Sequence, residues 1–589
     1  MSKYIFVVAT ILLIYTRFVG LDWGLPYPMH PDERNMVDAI LRLECSVKTL
    51  NTFADLQRCY NPSFFAYGQL PLYLALGIAN IWKGLFALLS IKFFLNFSSA
   101  TLSLRILSAL TSVALSVSMW KLYHFLLGKI PELSIKNVRC AKWVDAFVLL
   151  LLVFQPYLIQ YAHFGTTETM LMLLYVLTVY YSLRFIDRPS WRWVAASALV
   201  VGISAATKTS ALIYLAVPFV TILYVLIRGS AFPTVKRKIY AAIRYFLTFC
   251  LVTFLVYVIA SPHNILSFKD FVNSMRYEIP VGNGSLVVFY TRQFVDTIPY
   301  LFQFTHIFPF ALGLPVLLFF VIGFFTLPWK NPYVHIMRVA WLVYFVVTGS
   351  LFIKWSRFMS PIMPLMTLFA VYGLVKIYSH INFEKKMARF CFVLIALVFL
   401  IPGIAYVPIY STPDVRFVAS KVIADTIPPD SKIFEEGGNV INIPVPPPDS
   451  TFILPYYLFT TIDAFDILLE SDMQNLQLLL DEADVVIIPS RRAFSSRTCL
   501  RPEDVGFDIA DYLLMNNCEK REQTYPNQQI YYKQVFDQSR FIQTAKVSSY
   551  PRLEIFGIKL IEFPDEFAEE TWTVFDHPVV RIYKKTGPF

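Results

Sequence analysis

The sequence predicts a polytopic α-helical membrane protein with a soluble domain at the C-terminal end of the chain. Of its 589 residues, 56% are hydrophobic and 16% are charged, whereas soluble domains carry about 25% charged residues. Apolar runs of roughly 18 to 22 residues, each long enough to cross a hydrocarbon core of about 30 Å, recur as far as Tyr410 and then stop. We therefore divide the chain into a membrane domain, residues 1–410, and a C-terminal domain, residues 411–589.

The N-terminal apolar run, YIFVVATILLIYTRFVG, lacks a small-x-small cleavage site and leads directly into a charged cluster. We interpret it as a retained first span and not as a secretory signal. The stretch that begins at Leu70 is ambiguous, because it carries Lys83 and Lys92 within an otherwise apolar sequence. It either spans the membrane or lies along the interface.

Basic residues predict which ends of the spans face the cytoplasm. If the stretch after Leu70 lies flat, five connections share one side and hold 18 Lys and Arg against 3 Asp and Glu, namely residues 128–142, 184–192, 228–244, 329–338 and 376–389. Such an excess is typical of cytoplasmic loops. It predicts about 11 spans, a large external loop at 21–104 and an external C-terminal domain. It also accounts for most of the net charge of +10 without a nucleic-acid partner.

Four of the seven cysteines fall as two local pairs in the external segments, Cys45 with Cys59 and Cys499 with Cys518. Pairing is plausible there because disulfides persist in oxidising compartments. Each bridge would close a loop of about 15 to 20 residues, which stabilises a fold by roughly 3 kcal/mol. Four unpaired thiols remain the alternative, and mass spectrometry without reduction would separate the two.

Ionisable residues gather at the external ends of the predicted spans. They are His30, Asp32, Glu33, Arg105, His163, Glu168, Lys208, His263, Lys354 and Arg357. Because an ionised group inside a span costs about 3 kcal/mol on insertion scales, such residues usually face a cavity, a partner or the interface. A carboxylate can act as general base toward a hydroxyl, and Lys and Arg can hold a phosphate leaving group. This pattern predicts a site for a substrate that is part lipid and part anion.

Plainer interpretations remain open for several of these residues. Lys354 and Arg357 could be anchors that reach to the interface, and the histidines could make local hydrogen bonds. In the motif HPDE, Pro31 suits the first position of a helix, and the two following carboxylates suit its N-terminal dipole. His30, Asp32 and Glu33 could also bind a divalent ion through hard ligands.

A series of short motifs, in order along the chain, resembles a known family. The motifs are HPDE, RILSAL, AHFGTTETM, GISAATKTSALIYLAVP, SPHNILSFKDFV, WSRFMSPIMPLMTLFAVYGL and TVFDHPVVRIYKK. Together they resemble the phospholipid-carrier-dependent glycosyltransferases of the GT-C fold, which include the protein mannosyltransferases that use dolichyl-phosphate mannose and the bacterial aminoarabinose transferases. The resemblance covers nearly the whole membrane domain and the extreme C-terminus.

The resemblance implies roles for the matching positions. Asp32 would be the base, Glu33 would bind or orient, and Glu168 matches an acidic residue at the start of a later span. Lys208 and Arg357 match residues expected near the lipid phosphate, to which we add the cation Lys354. Arg105 matches the arginine that opens the second span and is a further candidate for binding the lipid phosphate. The first external loop is expected to contain interfacial helices.

The C-terminal domain departs from the protein mannosyltransferases, whose β-trefoil insertion in mid-chain has no counterpart here. The runs DVVIIPS, QIYYKQVF and VVRIYKK are strand-like, and they alternate with helical stretches such as MQNLQLLLDEA. This alternation predicts an α/β or α+β fold. It leaves the acceptor open between a protein, a glycan and a lipid.

The sequence therefore predicts an integral glycosyltransferase of a plasma or ER-type membrane. It would transfer a hexosyl or pentosyl group from a polyprenyl-phosphate donor to an acceptor hydroxyl on the extracytoplasmic side, with inversion and with Asp32 as base. No cofactor is required, although a divalent metal could assist, and the oligomeric state is open. The alternative is a transporter or flippase of a lipid-linked or anionic substrate, which would show charges at the membrane midplane and repeated halves.

Overall fold

The computed structural model describes residues 3–43, 52–130, 141–229, 232–380, 385–437, 442–445, 457–462, 470–500, 502, 520, 523–555 and 557–586. Cys45, Cys140 and Cys518 lie outside these ranges. As far as Ser411 the described chain contains no strand. Its helices are α1 Lys3–Phe18, α2 Pro31–Leu41, α3 Phe53–Arg58, α4 Leu70–Leu88, α5 Phe97–Leu127, α6 Ala141–Val153, α7 Pro156–His163, α8 Glu168–Asp187, α9 Trp191–Thr207, α10 Ala216–Arg228, α11 Val235–Ala260, α12 His263–Leu266, α13 Phe268–Asn283, α14 Phe308–Ala311, α15 Leu314–Thr326, α16 Pro332–Gly349, α17 Ser356–Met359, α18 Met363–His380, α19 Lys385–Tyr406 and α20 Pro408–Ser411.

The protein is an integral membrane protein. Within the described ranges, nine helices are long and apolar enough to cross a bilayer, and the bent pair Gln303–Ala311 and Leu314–Thr326 adds a tenth crossing if it forms one span. Two apolar helices, Tyr4–Phe18 and Trp191–Thr207, are shorter. The predicted number of 11 follows if both short helices and the bent pair cross while α4 lies flat, and it stays a prediction.

Helix α8 lies at the centre of the membrane domain. It packs against α5, α7, α9, α10, α16 and α18, and most of its residues are buried. Helix α11, in contrast, exposes most of its apolar side chains, as expected for a helix that faces lipid tails. The N-terminal residue of α8, Glu168, therefore lies where several helices converge.

Helix α5 begins at Phe97, where Asn96 forms the N-terminal cap, so the last residues of the predicted external loop 21–104 are helical. Helices α2, α3 and α4 lie within this loop. The apolar face of α2, formed by Met36, Val37 and Ile40, packs into a small core with α4 and α5. This packing fixes the direction of α2 and of the carboxylates at its first turn.

The C-terminal domain is an α/β domain with helices on both faces of a mixed sheet. Its elements are α21 Val415–Thr426, β1 Lys432–Glu436, β2 Leu458–Ile462, α22 Glu470–Glu482, β3 Val485–Ile488, α23 Pro526–Val535, β4 Phe541–Val547, β5 Arg552–Ile555, β6 Ile558–Glu562, α24 Glu570–Thr573 and β7 Val580–Lys585. The five-stranded sheet has the order β2-β1-β3-β7-β4, and β5 and β6 form a separate hairpin. Strands β1, β2 and β3 are parallel, whereas β7 runs antiparallel to β3 and β4.

Strand β3 shows why the run VVII is continuously apolar. Val486 and Ile488 pack with residues of α22 and α23 on one face, and Val485 and Ile487 pack with α21 on the other. A strand covered on both faces buries every side chain. The strand-like runs DVVIIPS and VVRIYKK and the helical run MQNLQLLLDEA form the predicted types of element.

The prediction of a strand for QIYYKQVF is wrong, since this run lies almost entirely within α23. The buried residues of the helix are Gln528, Tyr531, Tyr532 and Val535, which recur with the helical spacing of three and four residues. Pro526 at the first helical position also favours a helix here. The β-propensity of the two tyrosines was therefore outweighed by their spacing.

Residues 565–577, which we call the docking segment, join the C-terminal domain to the membrane domain. Ala568, Trp572 and Phe575 are part of the main hydrophobic core of the membrane domain. Gln160 of α7 donates hydrogen bonds to the carbonyl of Trp572 at 2.6 Å and to Asp576 at 3.2 Å. The docking segment is thus packed inside the membrane domain although it belongs to the C-terminal part of the chain.

A buried histidine holds the end of the docking segment. The His577 ring lies 2.6 Å from Asp576 Oδ1 through Nδ1 and 2.9 Å from Asp565 Oδ2 through Nε2, and Tyr410 donates to Asp576 Oδ2 at 2.5 Å. Burial disfavours the charged ring, but the carboxylates of Asp576 and Asp565 outweigh burial and raise the pKa of His577 to about 10. The imidazolium therefore stabilises the two carboxylates at neutral pH.

This cluster predicts a fall in stability at alkaline pH. In the unfolded chain His577 titrates near its ordinary pKa of about 6.5, so the stabilisation is complete below that pH and is lost as the pH rises through about 10. We expect the thermal midpoint to fall between pH 7 and pH 10, and this fall to be smaller in His577→Gln. Thermal unfolding across that range measures it, with the exposed His335→Gln as control. An identical pH profile in His577→Gln and wild type would contradict the assignment.

Candidate active site

The first turn of α2 presents Asp32 to residues from distant parts of the chain. Pro31 occupies the first position of the helix, and the His30 side chain caps it by accepting a hydrogen bond from the Glu33 amide at 3.4 Å. Arg357 of α17 donates from Nη1 to Asp32 Oδ2. Arg357 follows Asp32 by 325 positions, so this ion pair is a product of tertiary packing.

Lys208 lies in the tight turn between α9 and the short helical stretch Thr209–Leu215. Its ammonium group is 4.8 Å from the ring centroids of both Tyr67 and Phe358. The turn is held against the first loop because the Gly68 amide donates to the Thr207 carbonyl at 3.0 Å. A side chain at Gly68 would collide with the Ala206 carbonyl, so only glycine permits this approach.

Charged groups of both signs lie close to Asp32, Arg357 and Lys208. Lys208 interacts electrostatically with Glu168, Arg357 and Asp32. It also interacts with Glu278 on α13. Burial raises the pKa of Glu278 above its ordinary value. Three acids and two cations thus share one region at the ends of several helices, which is the arrangement that the sequence predicted for Asp32, Glu168, Lys208 and Arg357.

The pKa of Asp32 lies below its ordinary value. Burial opposes ionisation of the carboxyl group, but the positive charges of Arg357 and Lys208 and a hydrogen bond from the Tyr67 hydroxyl outweigh it. For His30, burial lowers the pKa. The pocket therefore holds an ionised Asp32 beside a neutral imidazole at pH 7.

A small cavity opens beside the ion pair. It is lined by His30, Asp32, Tyr161, Phe164, Thr166, Glu168, Ser356, Arg357, Thr571 and Phe575. The membrane domain supplies most of this lining, and the docking segment supplies the last two residues. Its surface combines charged groups, hydroxyls and aromatic rings.

Glu33 and Arg105 do not line this cavity. Arg105 donates from Nε and Nη2 to the two carboxylate oxygens of Glu33 at 2.7 Å each, and from Nη1 to the carbonyls of Leu21 and Trp23 at 2.7 Å. The Gly165 amide also donates to Glu33, at 2.8 Å. Arg105 lies inside α5, and its donors are committed to this buried pair and to two carbonyls, so its binding of lipid phosphate stays a prediction.

Three further candidates also make other contacts. The ring nitrogens of His163 lie 2.8 Å and 2.7 Å from the carbonyls of Ile159 and Val19. His263 lies 2.8 Å from the Cys59 carbonyl through Nε2. Lys354 donates to the Phe352 carbonyl at 2.8 Å, and burial lowers its pKa to about 8. None of these three side chains lines the cavity, and each forms hydrogen bonds to backbone carbonyls of the protein.

The predicted metal ligands His30, Asp32 and Glu33 each have a different partner. His30 accepts from the Glu33 amide, Asp32 pairs with Arg357, and Glu33 pairs with Arg105. Within the described ranges, no group of three or more His, Cys, Asp or Glu side chains is arranged to hold a metal ion. Metal dependence stays a prediction. Of the predicted disulfide cysteines, Cys59 and Cys499 are each disulfide-bonded, whereas Cys45 and Cys518 lie outside the described residues.

The sequence did not single out several residues of this region. They are Tyr67, Tyr161, Glu278, Ser356, Glu569, Thr571 and Phe575. Most are neutral residues that are common in apolar helices, so their type carries no signal of function. The motif TVFDHPVVRIYKK did mark the docking segment as part of the resemblance, and that was the one available signal for Phe575.

No family model and no curated protein matches this chain. Similar solved structures include ArnT from Cupriavidus metallidurans in the apo state, with 13% identity, a TM-score of 0.41 and coverage of 82% of this chain and 92% of that chain. The same protein bound to undecaprenyl phosphate shows 12% identity, a TM-score of 0.42 and the same coverage. The S. cerevisiae protein O-mannosyltransferase Pmt1-Pmt2 complex bound to the sugar donor shows 13% identity, a TM-score of 0.31 and coverage of 46% and 34%.

Both groups of enzymes named in the sequence resemblance are represented among these structures.

Proposed function

We propose that the protein is a membrane glycosyltransferase that transfers a sugar from a polyprenyl-phosphate donor to an acceptor hydroxyl. The observation that carries this proposal is the meeting of Asp32 with Arg357 at one cavity, beside Glu168 and Lys208. One carboxylate and two cations are the groups that proton abstraction and phosphate departure require. The cavity is lined by residues at the ends of α2 and α8, and we propose that a lipid-linked substrate enters it from the bilayer.

In the proposed reaction, the acceptor oxygen attacks the anomeric carbon while the bond from that carbon to the phosphate oxygen breaks. The acceptor proton passes to Asp32, and the electron pair of the broken bond stays with the lipid phosphate. Lys208 and Arg357 stabilise the negative charge that develops on this phosphate. A single displacement of this kind inverts the configuration at the anomeric carbon.

Arg357 forms an ion pair with the proposed base. In the donor complex its guanidinium would turn toward the phosphate, because a fork of N–H donors matches phosphate oxygens as well as a carboxylate. Asp32 would then lose the main charge that lowers its pKa. Donor binding would thereby increase the basicity of Asp32 at the moment when the acceptor arrives.

We propose that the cavity and the C-terminal domain face the extracytoplasmic side, an orientation that the excess of Lys and Arg in five other connections supports. Glu168, which also lines the cavity, would orient the acceptor or the sugar. The acceptor is a hydroxyl of a protein, a glycan or a lipid.

The function is tested with purified protein and polyprenyl-phosphate hexose or pentose labelled in the sugar. We expect the label to move to an acceptor while free polyprenyl phosphate appears in equal amount. Donor that binds and is recovered uncleaved, with movement across the membrane of proteoliposomes, would instead establish a transporter and overturn the proposal.

We expect Lys208→Gln to raise KM for the lipid-linked donor about tenfold, because a charge-assisted hydrogen bond to phosphate contributes about 1.5 to 3 kcal/mol. Steady-state kinetics at several donor concentrations measure the change. The control is Lys269→Gln, which removes an exposed lysine from α13. Equal KM values in Lys208→Gln and in the control would remove Lys208 from phosphate binding.

A further inference from the structure

The lining of the cavity carries four side-chain hydroxyl groups. They belong to Tyr161, Thr166, Ser356 and Thr571. Among the described residues, Thr166 Oγ1 is buried without a hydrogen-bond partner, and Tyr161 Oη lies beside Ser356 without a hydrogen bond of normal geometry. Because buried polar groups in proteins are nearly always paired, these two hydroxyls are available to hydrogen-bond a polar group in the cavity.

Aromatic rings form an adjoining part of the same lining. The ring of His30 lies between those of Phe164 and Phe575, with centroid distances of 4.8 and 4.3 Å. Aromatic faces bury apolar surface at modest entropic cost. A ligand that fits both surfaces has hydroxyls along its edge and C–H groups across its face, and a sugar ring has both.

Thr571 is oriented to accept a hydrogen bond from such a ligand. Its hydroxyl donates to Glu569 Oε2 at 2.5 Å and lies 3.5 Å from Ser356 Oγ. Glu569 is itself held by the Ser356 amide at 2.9 Å and by Gln293 at 3.0 Å. With its hydrogen committed to Glu569, the Thr571 oxygen offers only lone pairs to a group in the cavity.

The docking segment is held rigidly on both sides. Arg492, which follows β3, pairs with the buried Glu570, and Arg491 donates to the Ala568 carbonyl. On the membrane side, Gln160 donates to the Trp572 carbonyl at 2.6 Å. The positions of Thr571 and Phe575 are therefore determined jointly by the two domains.

We propose that the docking segment forms part of the sugar-binding subsite, so that the C-terminal domain determines which sugar the enzyme accepts. Thr571 accepts a hydrogen bond from a sugar hydroxyl, and Phe575 packs against the C–H face of the ring. This inference rests on the proposed function, since it gives the sugar of the lipid-linked donor a place beside Asp32 and Arg357. It assigns selectivity to residues near the C-terminus rather than to the membrane helices alone.

The test separates recognition of the sugar from recognition of the lipid phosphate. We would measure binding of polyprenyl phosphate alone and of polyprenyl phosphate carrying mannose, glucose or arabinose, and turnover of each donor. The variants are Thr571→Val and Phe575→Leu, with Thr571→Ser as the conservative form. Thr573→Val is the matched control, because it lies in the same helix, is buried and is absent from the cavity lining.

We expect Thr571→Val to weaken binding of the preferred donor about tenfold and to leave binding of polyprenyl phosphate unchanged, as for loss of one hydrogen bond of about 1.4 kcal/mol. Thr571→Ser should retain the affinity for the preferred donor. Phe575→Leu should reduce the difference in affinity among the donors that carry the three sugars. These changes should appear in KM more than in kcat.

Three results would overturn the inference. The first is an unchanged affinity for all three sugar donors in both Thr571→Val and Phe575→Leu. The second is a loss of affinity for polyprenyl phosphate alone as large as the loss for the sugar donor. The third is an equal loss of donor affinity in the control Thr573→Val. The proposed function fails separately, if the wild-type protein binds donors with a sugar-dependent affinity but cleaves none. A wild-type protein that binds no donor more tightly than polyprenyl phosphate would also overturn the subsite.

Discussion

Replacing Asp32 by asparagine is expected to lower kcat for sugar transfer by about 10²- to 10⁴-fold, which is the usual contribution of a positioned general base. Asparagine keeps the size of the side chain and can still accept a hydrogen bond from Arg357, so the cavity should keep its shape. It cannot take up the acceptor proton. Release of polyprenyl phosphate from labelled donor measures the effect.

The same variant should bind polyprenyl phosphate at least as well as the wild type. The ion pair between Asp32 and Arg357 competes with the phosphate for the guanidinium, and asparagine removes that competition. The control is Asp38→Asn, which neutralises an exposed carboxylate of the same helix. Turnover within a few-fold of wild type in Asp32→Asn would show that Asp32 is not the base.

The largest expected loss of stability follows from breaking the buried pair of Glu33 and Arg105. Arg105→Met leaves the Glu33 carboxylate buried with only the Gly165 amide as a remaining donor, and two carbonyls, of Leu21 and Trp23, lose their partner. Removing one partner of a buried ion pair costs about 3 to 5 kcal/mol. We expect a fall in the thermal midpoint of the detergent-solubilised protein and reduced amounts of folded protein.

The double variant Glu33→Gln with Arg105→Met distinguishes a lost pair from a lost phosphate ligand. Because the charge that needs compensation is also gone, the double variant should recover part of the lost stability, although the carbonyls of Leu21 and Trp23 still lack their donor. Its KM for donor should stay close to wild type if Arg105 only positions the first loop. A KM that rises in every variant lacking Arg105, including those that regain stability, would restore Arg105 to phosphate binding.

Much of the architecture could be predicted from local pattern, because membrane insertion depends on segment length and apolar composition. The spans near Glu168, Arg228 and Tyr378 were readable in this way, and so were the two buried strands around Val486 and Val580. Prediction failed where two local signals disagreed. The tyrosines of α23 favour a strand by propensity, but their spacing places them on one face of a helix.

The residues of the candidate site could also be predicted only in part. Charges in apolar surroundings are costly, so Asp32, Glu168, Lys208 and Arg357 stood out by type alone and lie together in the fold. Arg105 stood out for the same reason, yet it serves a buried ion pair, and sequence offers no way to tell a charge that faces a ligand from one that faces a partner. Thr571 and Phe575 carry no unusual property until the fold places them at the cavity.

The sequence by itself determined that this chain enters a membrane and which ionisable residues need an explanation, because hydropathy and charge act over short stretches of chain. Only the tertiary structure decided that Asp32 faces Arg357, that Glu33 and Arg105 neutralise each other, and that the C-terminal domain reaches into the cavity. These facts depend on contacts between residues hundreds of positions apart, which arise from the joint packing of helices and not from any local pattern.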